Sequence, residues 1–236
     1  MLKCGITGSK GNLGKTFVGH SKIFKFIKFN GDIRKKKDVN KWIQNNEFDL
    51  IIHFAALVPI TKVNRNYKKA IQTNYYGTTY LVDAIIKYKK KLNWFFFSST
   101  SHVYPFKNTK LKENDLLKPI SKYGETKVLA EKYIIKKFQK TEVKFCIGRI
   151  FSILDNKGKE FFLKNLINKI KKRENKINLK NMNHHRDFLT TLQISRIIIK
   201  LFKKKFKGII NIGSGKKTDL KKIAKIIAKK YKKEIF

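Results

Sequence analysis

Tyr123 and Lys127 are the residues whose types and spacing most directly suggest chemistry, because they stand four positions apart in the segment Tyr-Gly-Glu-Thr-Lys. On a helix this spacing places both side chains on one face, one turn apart. A phenol has a reference pKa of about 10, but a neighbouring ammonium favours its ionised form. Thr100 ends an apolar segment upstream and could hydrogen-bond the same substrate oxygen. Together the three groups could move a proton while a hydride leaves or arrives, although Tyr-x-x-x-Lys alone is weak in so lysine-rich a chain.

A glycine turn near the N-terminus is the second element of a candidate active site. The apolar segment Leu2–Thr7 predicts a buried strand, and Gly8, Gly11 and Gly14 follow it before a helical segment that begins at Leu13. Such glycines allow a tight turn and a close approach of the backbone to a pyrophosphate at the positive end of a helix. The spacing is one residue longer than the commoner fingerprint. Taken alone, the segment could equally be a plain strand–turn–helix.

The rest of the chain alternates strand and helix, which predicts a doubly wound α/β fold with a parallel sheet. We expect strands over 2–7, 24–29, 49–55, 94–98 and 144–150, with helices over 13–20, 38–45, 67–90 and 121–138. Beyond residue 150 we expect a helix over 160–171, a strand over 177–179, a helix over 192–202, a strand over 208–212 and a helix from Asp219. We assign 1–150 to a dinucleotide-binding domain and 151–236 to a smaller α/β substrate lobe interwoven with it.

The chain is strongly basic, with 56 Lys and Arg against 16 Asp and Glu in 236 residues and a formal charge of +40. Basic patches often indicate nucleic acid or anionic membrane. Here the lysines occur in every helix and accompany abundant Asn, Ile and Phe, a bias typical of an AT-rich genome, and lysine greatly outnumbers the arginine that base readout favours. We therefore expect nonspecific polyanion binding at low salt but no specific nucleic-acid partner.

Nine segments occur in the order seen in a known family: 7–14 (TGSKGNLG), Gly31–Arg34, Asp49–Ala56, Asn74–Thr78, 95–104 (FFFSSTSHVY), 123–127, Arg149–Phe151, Arg186–Phe188 and Asn211–Gly215. Through them the chain resembles the extended short-chain dehydrogenase/reductase family, which includes sugar-nucleotide epimerases, dehydratases and reductases. The resemblance implies a Rossmann-type fold, NAD or NADP as cofactor and a nucleotide-sugar substrate. The short segment between Gly14 and Asp32 leaves room for one strand where longer relatives have two, and is similar to the dTDP-4-dehydrorhamnose reductase branch.

The resemblance also implies roles for individual residues. Tyr123 matches the acid–base group, Lys127 the residue that binds the nicotinamide ribose and lowers the tyrosine's pKa, and Thr100 the hydroxyl that holds the reacting oxygen. Other positions match cofactor-binding residues: Gly8, Gly11, Asn12, Leu13 and Gly14 in the turn, Asp32 and Ile33 beside the adenine, Ala55 and Ala56 along the dinucleotide, and Asn74. For Asn74 a helix-capping amide is the alternative. For His53 we favour a hydrogen-bonded core histidine over a catalytic one.

His102 departs from the family in an informative way. The corresponding position carries a glutamate in the hexose dehydratases and a cysteine in GDP-fucose synthase, and a histidine there could exchange a proton near neutral pH. A polar residue at the end of a strand is the alternative, and the sequence leaves the two open. Because Ser101 and His102 replace the dehydratase Asp-Glu pair, the resemblance argues against 4,6-dehydration.

Substrate recognition is assigned to three residues by the same resemblance. Arg186 matches a residue that contacts the nucleotide diphosphate, which a guanidinium can bind bidentately. Thr100 would contact the sugar, and Ser152 replaces the asparagine common in relatives. His184 and His185 have no carboxylate or cysteine at ligand spacing, so we expect no metal site.

The remaining expectations concern compartment and function. Cys4 and Cys146 lie in apolar strand-like segments, which predicts reduced core thiols. The absence of a leader or a long apolar segment predicts a cytoplasmic protein that does not insert in membranes, with a homodimer as an open alternative and a C-terminus shorter than usual. We expect an NAD(P)-dependent oxidoreductase or epimerase acting on a nucleotide sugar. The alternatives are a 4-keto-6-deoxysugar nucleotide reductase, a non-catalytic cofactor-binding regulator and a nucleic-acid binder.

Overall fold

A six-stranded parallel sheet organises the chain in this computed structural model, which describes residues 1–58, 60–88, 91–154, 166–168, 170, 176–177, 185–232 and 234–235. The elements are β1 (Leu2–Thr7), α1 (Asn12–His20), β2 (Phe24–Lys28), α2 (Lys36–Gln44), β3 (Leu50–His53), α3 (Ile60–Arg65), α4 (Tyr67–Ile71), α5 (Gly77–Tyr88), β4 (Trp94–Thr100), α6 (Lys122–Phe138), β5 (Lys144–Ile150), β6 (Ser152–Ile153), β7 (Lys176–Ile177), β8 (His185–Arg186), β9 (Phe188–Leu189), α7 (Thr191–Lys203), β10 (Gly208–Ile212), β11 (Thr218–Asp219), α8 (Leu220–Lys230) and β12 (Glu234–Ile235). The sheet order is β10-β5-β4-β3-β1-β2.

The sheet is buried on both faces, and its central strands β3 and β4 therefore begin as continuous apolar segments before they end in polar residues at the carboxyl edge. Successive side chains of β4 point to opposite faces. Phe95 and Phe97 pack with α2, α5 and α6, whereas Trp94 and Phe96 pack on the other face with residues of α1 and α7. The predicted doubly wound sheet is confirmed.

The strand order reverses at β1, which pairs with β2 on one side and β3 on the other. In such sheets, ligands bind in the crevice beyond the carboxyl ends of the strands at this switch point. The edge strand β2 has no further neighbour among the described strands of this sheet, in agreement with the predicted short front end. The crevice therefore lies above the glycine turn and the loop after β3.

Most predicted elements are present, but the helix predicted over 67–90 is wrong in its continuity. It consists of α4, one wide π-helical turn over Gln72–Tyr76, and α5. Such turns carry an extra residue and often occur at functional sites. Helix α3 was not predicted, and β4 continues to Thr100 beyond the predicted end at residue 98.

The C-terminal segment contributes β10 to the main sheet and forms three small two-stranded sheets, β6 with β9, β8 with β11 and β7 with β12. It thus shares the main sheet with the first 150 residues. The division into a dinucleotide-binding domain and an interwoven substrate lobe stays a prediction. Leu166 and Ile170 pack against Leu220 and Ala224 of α8. The rest of the helix predicted over 160–171, residues 178–179 of the predicted strand, and His184 lie outside the described residues.

Candidate active site

The glycine turn after β1 has the geometry of a cradle that side chains would fill. Gly8 has a φ of +72°, and a Cβ there would lie 2.6 Å from the amide nitrogen of Ala55. A Cβ on Gly14 would collide with the carbonyl oxygen of Gly8, whereas Gly11 donates its N–H to that oxygen at 3.0 Å. Gly11 caps α1 without a side-chain hydrogen bond, so the first N–H groups of the helix face the crevice without a side-chain acceptor. This arrangement fits a pyrophosphate.

His53 lies beneath the turn in a chain of hydrogen bonds whose direction can be followed. Thr78 donates its hydroxyl to the carbonyl of Asn74 at 2.7 Å and therefore accepts from His53 Nε2 at 2.9 Å. On the other side, Ala55 N donates to Thr7 Oγ1 at 3.2 Å, and Thr7 donates to His53 Nδ1 at 2.6 Å. Burial, followed by the charge of Lys127, lowers the pKa of His53 to about 3. The prediction of a satisfied, neutral core histidine is confirmed.

Asn74 lies in the π-helical turn and fastens the loop after β3 to the helix that carries Tyr123. Its Oδ1 accepts from Leu57 N at 2.6 Å, while its Nδ2 donates to Leu57 O at 3.3 Å and to Thr126 Oγ1 at 3.0 Å. All of these contacts are made by a fully buried side chain. Asn74 therefore anchors the loop that contains Ala55 and Ala56, which the helix-capping alternative does not describe.

Lys127 is buried between α6 and β4. Its Nζ donates to the carbonyl of Ser98 at 2.7 Å and lies 4.5 Å from the ring centroid of Phe97 and 5.9 Å from that of Tyr123. Burial lowers the pKa of Lys127 to about 7, an effect that the charge of Glu131 partly opposes. The ammonium thus titrates close to neutrality.

Tyr123 lies in the first turn of α6 and is half-buried, and its hydroxyl makes no hydrogen bond to the residues that the structure describes. The sequence predicted that Lys127 would lower its pKa. Burial instead raises the pKa of the Tyr123 phenol. Nζ of Lys127 donates to Ser98 O and not to the phenol. Without a ligand the phenol is therefore protonated at neutral pH. Thr100 lies at the end of β4, where its hydroxyl accepts from the backbone N–H of His102 at 3.3 Å.

His102 is brought beside Tyr123, with ring centroids 6.2 Å apart and planes at 68°. Its Nδ1 lies 3.3 Å from the hydroxyl of Ser121, the residue that caps α6. A Cβ on Gly124 would collide with the carbonyl oxygen of His102, so this glycine permits the close approach of α6. Burial, followed by the charge of Arg186, lowers the pKa of His102, which favours the neutral imidazole.

Asp32 and Ile33, the two residues assigned to the adenine side, are fixed by contacts with neighbouring residues. Asp32 accepts from Arg34 Nε at 2.9 Å and Nη2 at 2.6 Å, and this pairing lowers the pKa of Asp32 to about 2. The backbone N–H of Asp32 donates to Asp38 at 2.9 Å. The Ile33 side chain is buried, and a Cβ on Gly77 would lie 2.9 Å from it, so Ile33 packs against the start of α5.

Ser152 and Arg186 lie on short strands of two different small sheets, β6 and β8. Ser152 in β6 donates its N–H to the carbonyl of Asp187 at 2.9 Å, directly after the exposed Arg186 in β8. The carboxylate of Asp187, which the sequence did not single out, accepts from Ser214 N and Gly215 N at 2.7 Å each. Asp187 thereby holds the loop after β10 beside these residues.

A buried charged cluster beneath α6 was also missed by the sequence interpretation. Glu131, one turn beyond Lys127, accepts from Arg149 Nη2 at 2.7 Å and from Nε at 3.2 Å, and it hydrogen-bonds the hydroxyl of Ser99. Arg149 donates to Tyr104 Oη at 2.7 Å, and Tyr104 donates to Asn211 at 2.7 Å. The available signal was Glu131 itself, a carboxylate four residues after Lys127 on the same helical face.

Cys4 and Cys146 are both buried and free, as predicted, and burial raises the pKa of each thiol. Within the described ranges, no three metal-ligating side chains gather at one place. In the same part of the chain, none of the helices combines the length and the apolar character needed to span a bilayer.

The curated proteins most similar in sequence include several nucleotide-sugar 4-epimerases. The UDP-glucose and UDP-xylose 4-epimerase 3 of Arabidopsis thaliana is 33% identical over 106 residues, which cover 44% of this chain and 30% of that protein. A putative UDP-glucose 4-epimerase of Methanocaldococcus jannaschii is 28% identical over 204 residues, 84% of this chain and 66% of that protein. The chain thus spans about a third of the plant relative's length, as aligned.

Solved structures support the same fold. The Thermus thermophilus UDP-glucose 4-epimerase in complex with NAD superposes with a TM-score of 0.86 at 17% identity, covering 100% of this chain and 86% of that one. The dTDP-4-dehydrorhamnose reductase of Bacillus anthracis in complex with NADP gives 0.83 at 20% identity, covering 100% and 82%. The family model described as GDP-mannose 4,6 dehydratase matches residues 8–236. This chain therefore belongs to that family, within the extended short-chain dehydrogenases/reductases that include nucleotide-sugar epimerases and reductases.

Proposed function

We propose that this protein is an NAD(P)-dependent oxidoreductase or epimerase that acts on a nucleotide sugar, with Tyr123 as the acid–base group. The observation that carries the proposal is the convergence of Thr100, His102, Tyr123 and Lys127 where β4 ends and α6 begins, beside the crevice formed by the glycine turn. Thr100 ends β4, His102 lies in the 3-10 turn that follows it, and the other two groups lie on α6. The loop after β3, anchored by Asn74, links them to the cofactor side.

The residues present fit a dinucleotide. Gly8 and Gly14 leave the space that its pyrophosphate would need, and Asn12 and Leu13 offer backbone N–H groups at the start of α1. Ala55 and Ala56 would line its path, and Lys127 would bind the nicotinamide ribose. When bound, such a cofactor accepts or returns a hydride at a sugar carbon.

Proton movement at the sugar oxygen is assigned to this chain's own side chains. Tyr123, protonated because burial raises its pKa, would donate its proton to a ketone or, after ionisation, accept one from a hydroxyl. Thr100 would hold that oxygen by a hydrogen bond. Lys127, when protonated, would stabilise the phenolate that remains.

Cofactor preference follows from the end of β2. Phe29, Asn30 and Gly31 follow this strand, and none of them is acidic. The nearby carboxylate of Asp32 is already paired with Arg34. No unpaired acidic group at this strand end would repel a 2′-phosphate, so NADPH should be accepted at least as well as NADH.

Substrate binding is assigned to the opposite side of the site. Arg186 would contact the diphosphate, with Ser152 and Thr100 nearer the sugar. His102, whose pKa is lowered, would be neutral and able to take a proton from the carbon next to a ketone. Such an exchange is a step that some epimerases need and a simple reductase does not.

A 4-keto-6-deoxysugar nucleotide reductase is the second candidate. The edge position of β2, which gives the chain its short front end, favours it. Measuring deuterium incorporation from solvent into the sugar separates the two, with His102→Asn as the matched variant. Exchange in the wild type that is lost in His102→Asn supports an epimerase. Equal exchange in both proteins, or none in either, means that His102 does not carry this step, and net consumption of NADPH then identifies the reductase.

The experiment that tests the proposal begins with cofactor binding. Purified protein is titrated with NADH and NADPH at physiological salt, where the general attraction of lysines for anions is screened. A panel of nucleotide sugars is then assayed for turnover. We expect NADPH to bind at least as tightly as NADH, and Lys127→Ala to weaken both binding and turnover. Binding of neither cofactor would overturn the proposal, and binding without any turnover would favour a regulator.

A further inference from the structure

Lys127 must carry a charge in a place that disfavours it. Its side chain is 1% exposed, and removal from water destabilises an ammonium. Ser98 O takes one of its three N–H donors, and the ring face of Phe97 supports the cation at 4.5 Å. The other two donors are those that a ribose would use. Lys127 therefore has to stay protonated if it is both to bind the ribose and to stabilise the phenolate of Tyr123.

The ion pair behind Lys127 is built to hold a carboxylate in one position. Glu131 is 0% exposed and Arg149 is 2% exposed. Both oxygens of Glu131 accept from the guanidinium, and one also bonds Ser99 next to Thr100. Arg149 is fixed in turn by Tyr104 and by the carbonyl of Glu113 at 2.9 Å. Buried ion pairs of this kind often contribute little net stability compared with apolar pairs, so stability alone does not account for this one.

The charges around Lys127 can be assigned from each element that packs against it. On α6, Tyr123 is neutral and Glu131 is ionised. On β3, His53 is neutral, and on β5, Arg149 is cationic. Glu131 is thus the anion one helical turn from Lys127, and Arg149 is paired with that anion at 2.7 Å. The carboxylate should stabilise the ammonium, and the guanidinium should limit that effect.

We propose that Glu131 and Arg149 are positioning residues that set the charge of Lys127 through opposite electrostatic effects. The consequence for cofactor affinity rests on the proposed function. The charge of Lys127 itself does not, because it can be measured without any ligand.

The test follows the Lys127 resonance in protein labelled with 13C at the lysine Cε, identified by its loss in Lys127→Arg. Glu131→Gln should lower the pKa of Lys127 by about one unit, and Arg149→Met should raise it by about one unit. Arg149→Lys, which keeps the charge, should leave it near the wild-type value. If Glu131 and Arg149 had only a structural role, their substitutions would not shift the pKa of Lys127 in opposite directions. Shifts in the same direction, or none, would overturn the inference.

A double variant guards against variants that fail to fold. Glu131→Gln combined with Arg149→Met leaves no unpaired charge, and it should lower the pKa of Lys127 by less than Glu131→Gln alone. A pKa of Lys127 in the double variant that is as low as in Glu131→Gln alone, or lower, contradicts the inference.

Cofactor binding provides the second readout. The alkaline decline of NADPH affinity should move to lower pH in Glu131→Gln and to higher pH in Arg149→Met. If wild type binds neither NADH nor NADPH while the resonance shifts as expected, the proposed function fails and the electrostatic inference stands. If binding is normal but its pH dependence is the same in all variants, the inference fails alone.

Discussion

Two buried polar clusters support the carboxyl edge of the sheet, and they differ in charge. Beneath the glycine turn, Thr7, His53 and Thr78 form a neutral chain whose every proton has an acceptor. Beneath the helix that carries Tyr123, Glu131 and Arg149 form an ion pair. The first cluster joins backbone segments around the cofactor crevice, and the second lies behind the groups assigned to proton transfer.

The difference teaches how one fold separates two tasks. A neutral chain fixes geometry and, because the pKa of His53 is about 3, does not titrate near neutral pH. An ion pair also fixes geometry, but its charges act on Lys127, whose pKa of about 7 lies within the working range. Substitutions in the two clusters should therefore change the free energy of unfolding by different amounts and with different pH dependence.

The largest expected effect on folding is that of Glu131→Ala. It leaves the Arg149 guanidinium buried without its anion, which should reduce the free energy of unfolding by about 3 to 5 kcal/mol. Urea unfolding followed by circular dichroism measures it. The matched control is Lys107→Ala, which breaks the more exposed pair with Asp115 at 3.0 Å and should leave stability unchanged. If Glu131→Ala and Lys107→Ala lower the free energy of unfolding by the same small amount, the buried ion pair does not differ from an exposed one.

Lys127→Met should have the next largest effect, and it should increase the free energy of unfolding. Burial lowers the pKa of Lys127 from 10.5 to about 7, so between these values the unfolded state binds more protons and wild-type stability rises with pH. Replacing the lysine should add on the order of 3 kcal/mol at pH 6 while cofactor binding is lost. The gain should shrink steadily as the pH is raised toward 10. A gain that does not depend on pH would show that Lys127 is not the titrating group.

The smallest effect should be that of His53→Leu, which removes a neutral link. Two buried hydroxyls lose a partner, at a cost of about 1 to 3 kcal/mol at pH 7.5. Since the folded pKa of His53 is about 3 and its reference value is 6.5, the unfolded state binds more protons in that interval, and wild-type stability falls as the pH falls through it. The loss caused by the variant should therefore be smaller at pH 5. A larger loss at pH 5 would mean that the histidine is charged in the folded state.

The sequence predicted the fold well where a pattern repeats along the chain. The strands of the main sheet and the helix after Ser121 were found because apolar segments alternate with helical ones. The π-helical turn around Asn74 was missed, since it depends on contacts with Leu57 and Thr126 from distant parts of the chain. Helix α3 is short and has no strong apolar period, so nothing local marked it.

The sequence motifs pointed to the candidate site residues but did not predict their protonation states. The spacing of Tyr123 and Lys127 suggested a lowered phenol pKa, whereas burial raises that pKa in the unliganded protein. The pairing of Glu131 with Arg149 joins α6 to β5 and could be seen only after folding. Sequence motifs thus predicted the candidate groups, and packing determines their protonation.

Tyr123→Phe tests the central claim most directly, because it removes one hydroxyl and leaves the helix, Lys127 and the glycine turn intact. With NADPH and a nucleotide sugar found active in the panel, turnover and the cofactor Kd are measured for both proteins. Turnover should fall by about 100-fold or more, with the cofactor Kd changed by no more than about twofold. Undiminished turnover with the same Kd would contradict the assignment of Tyr123 as the acid–base group.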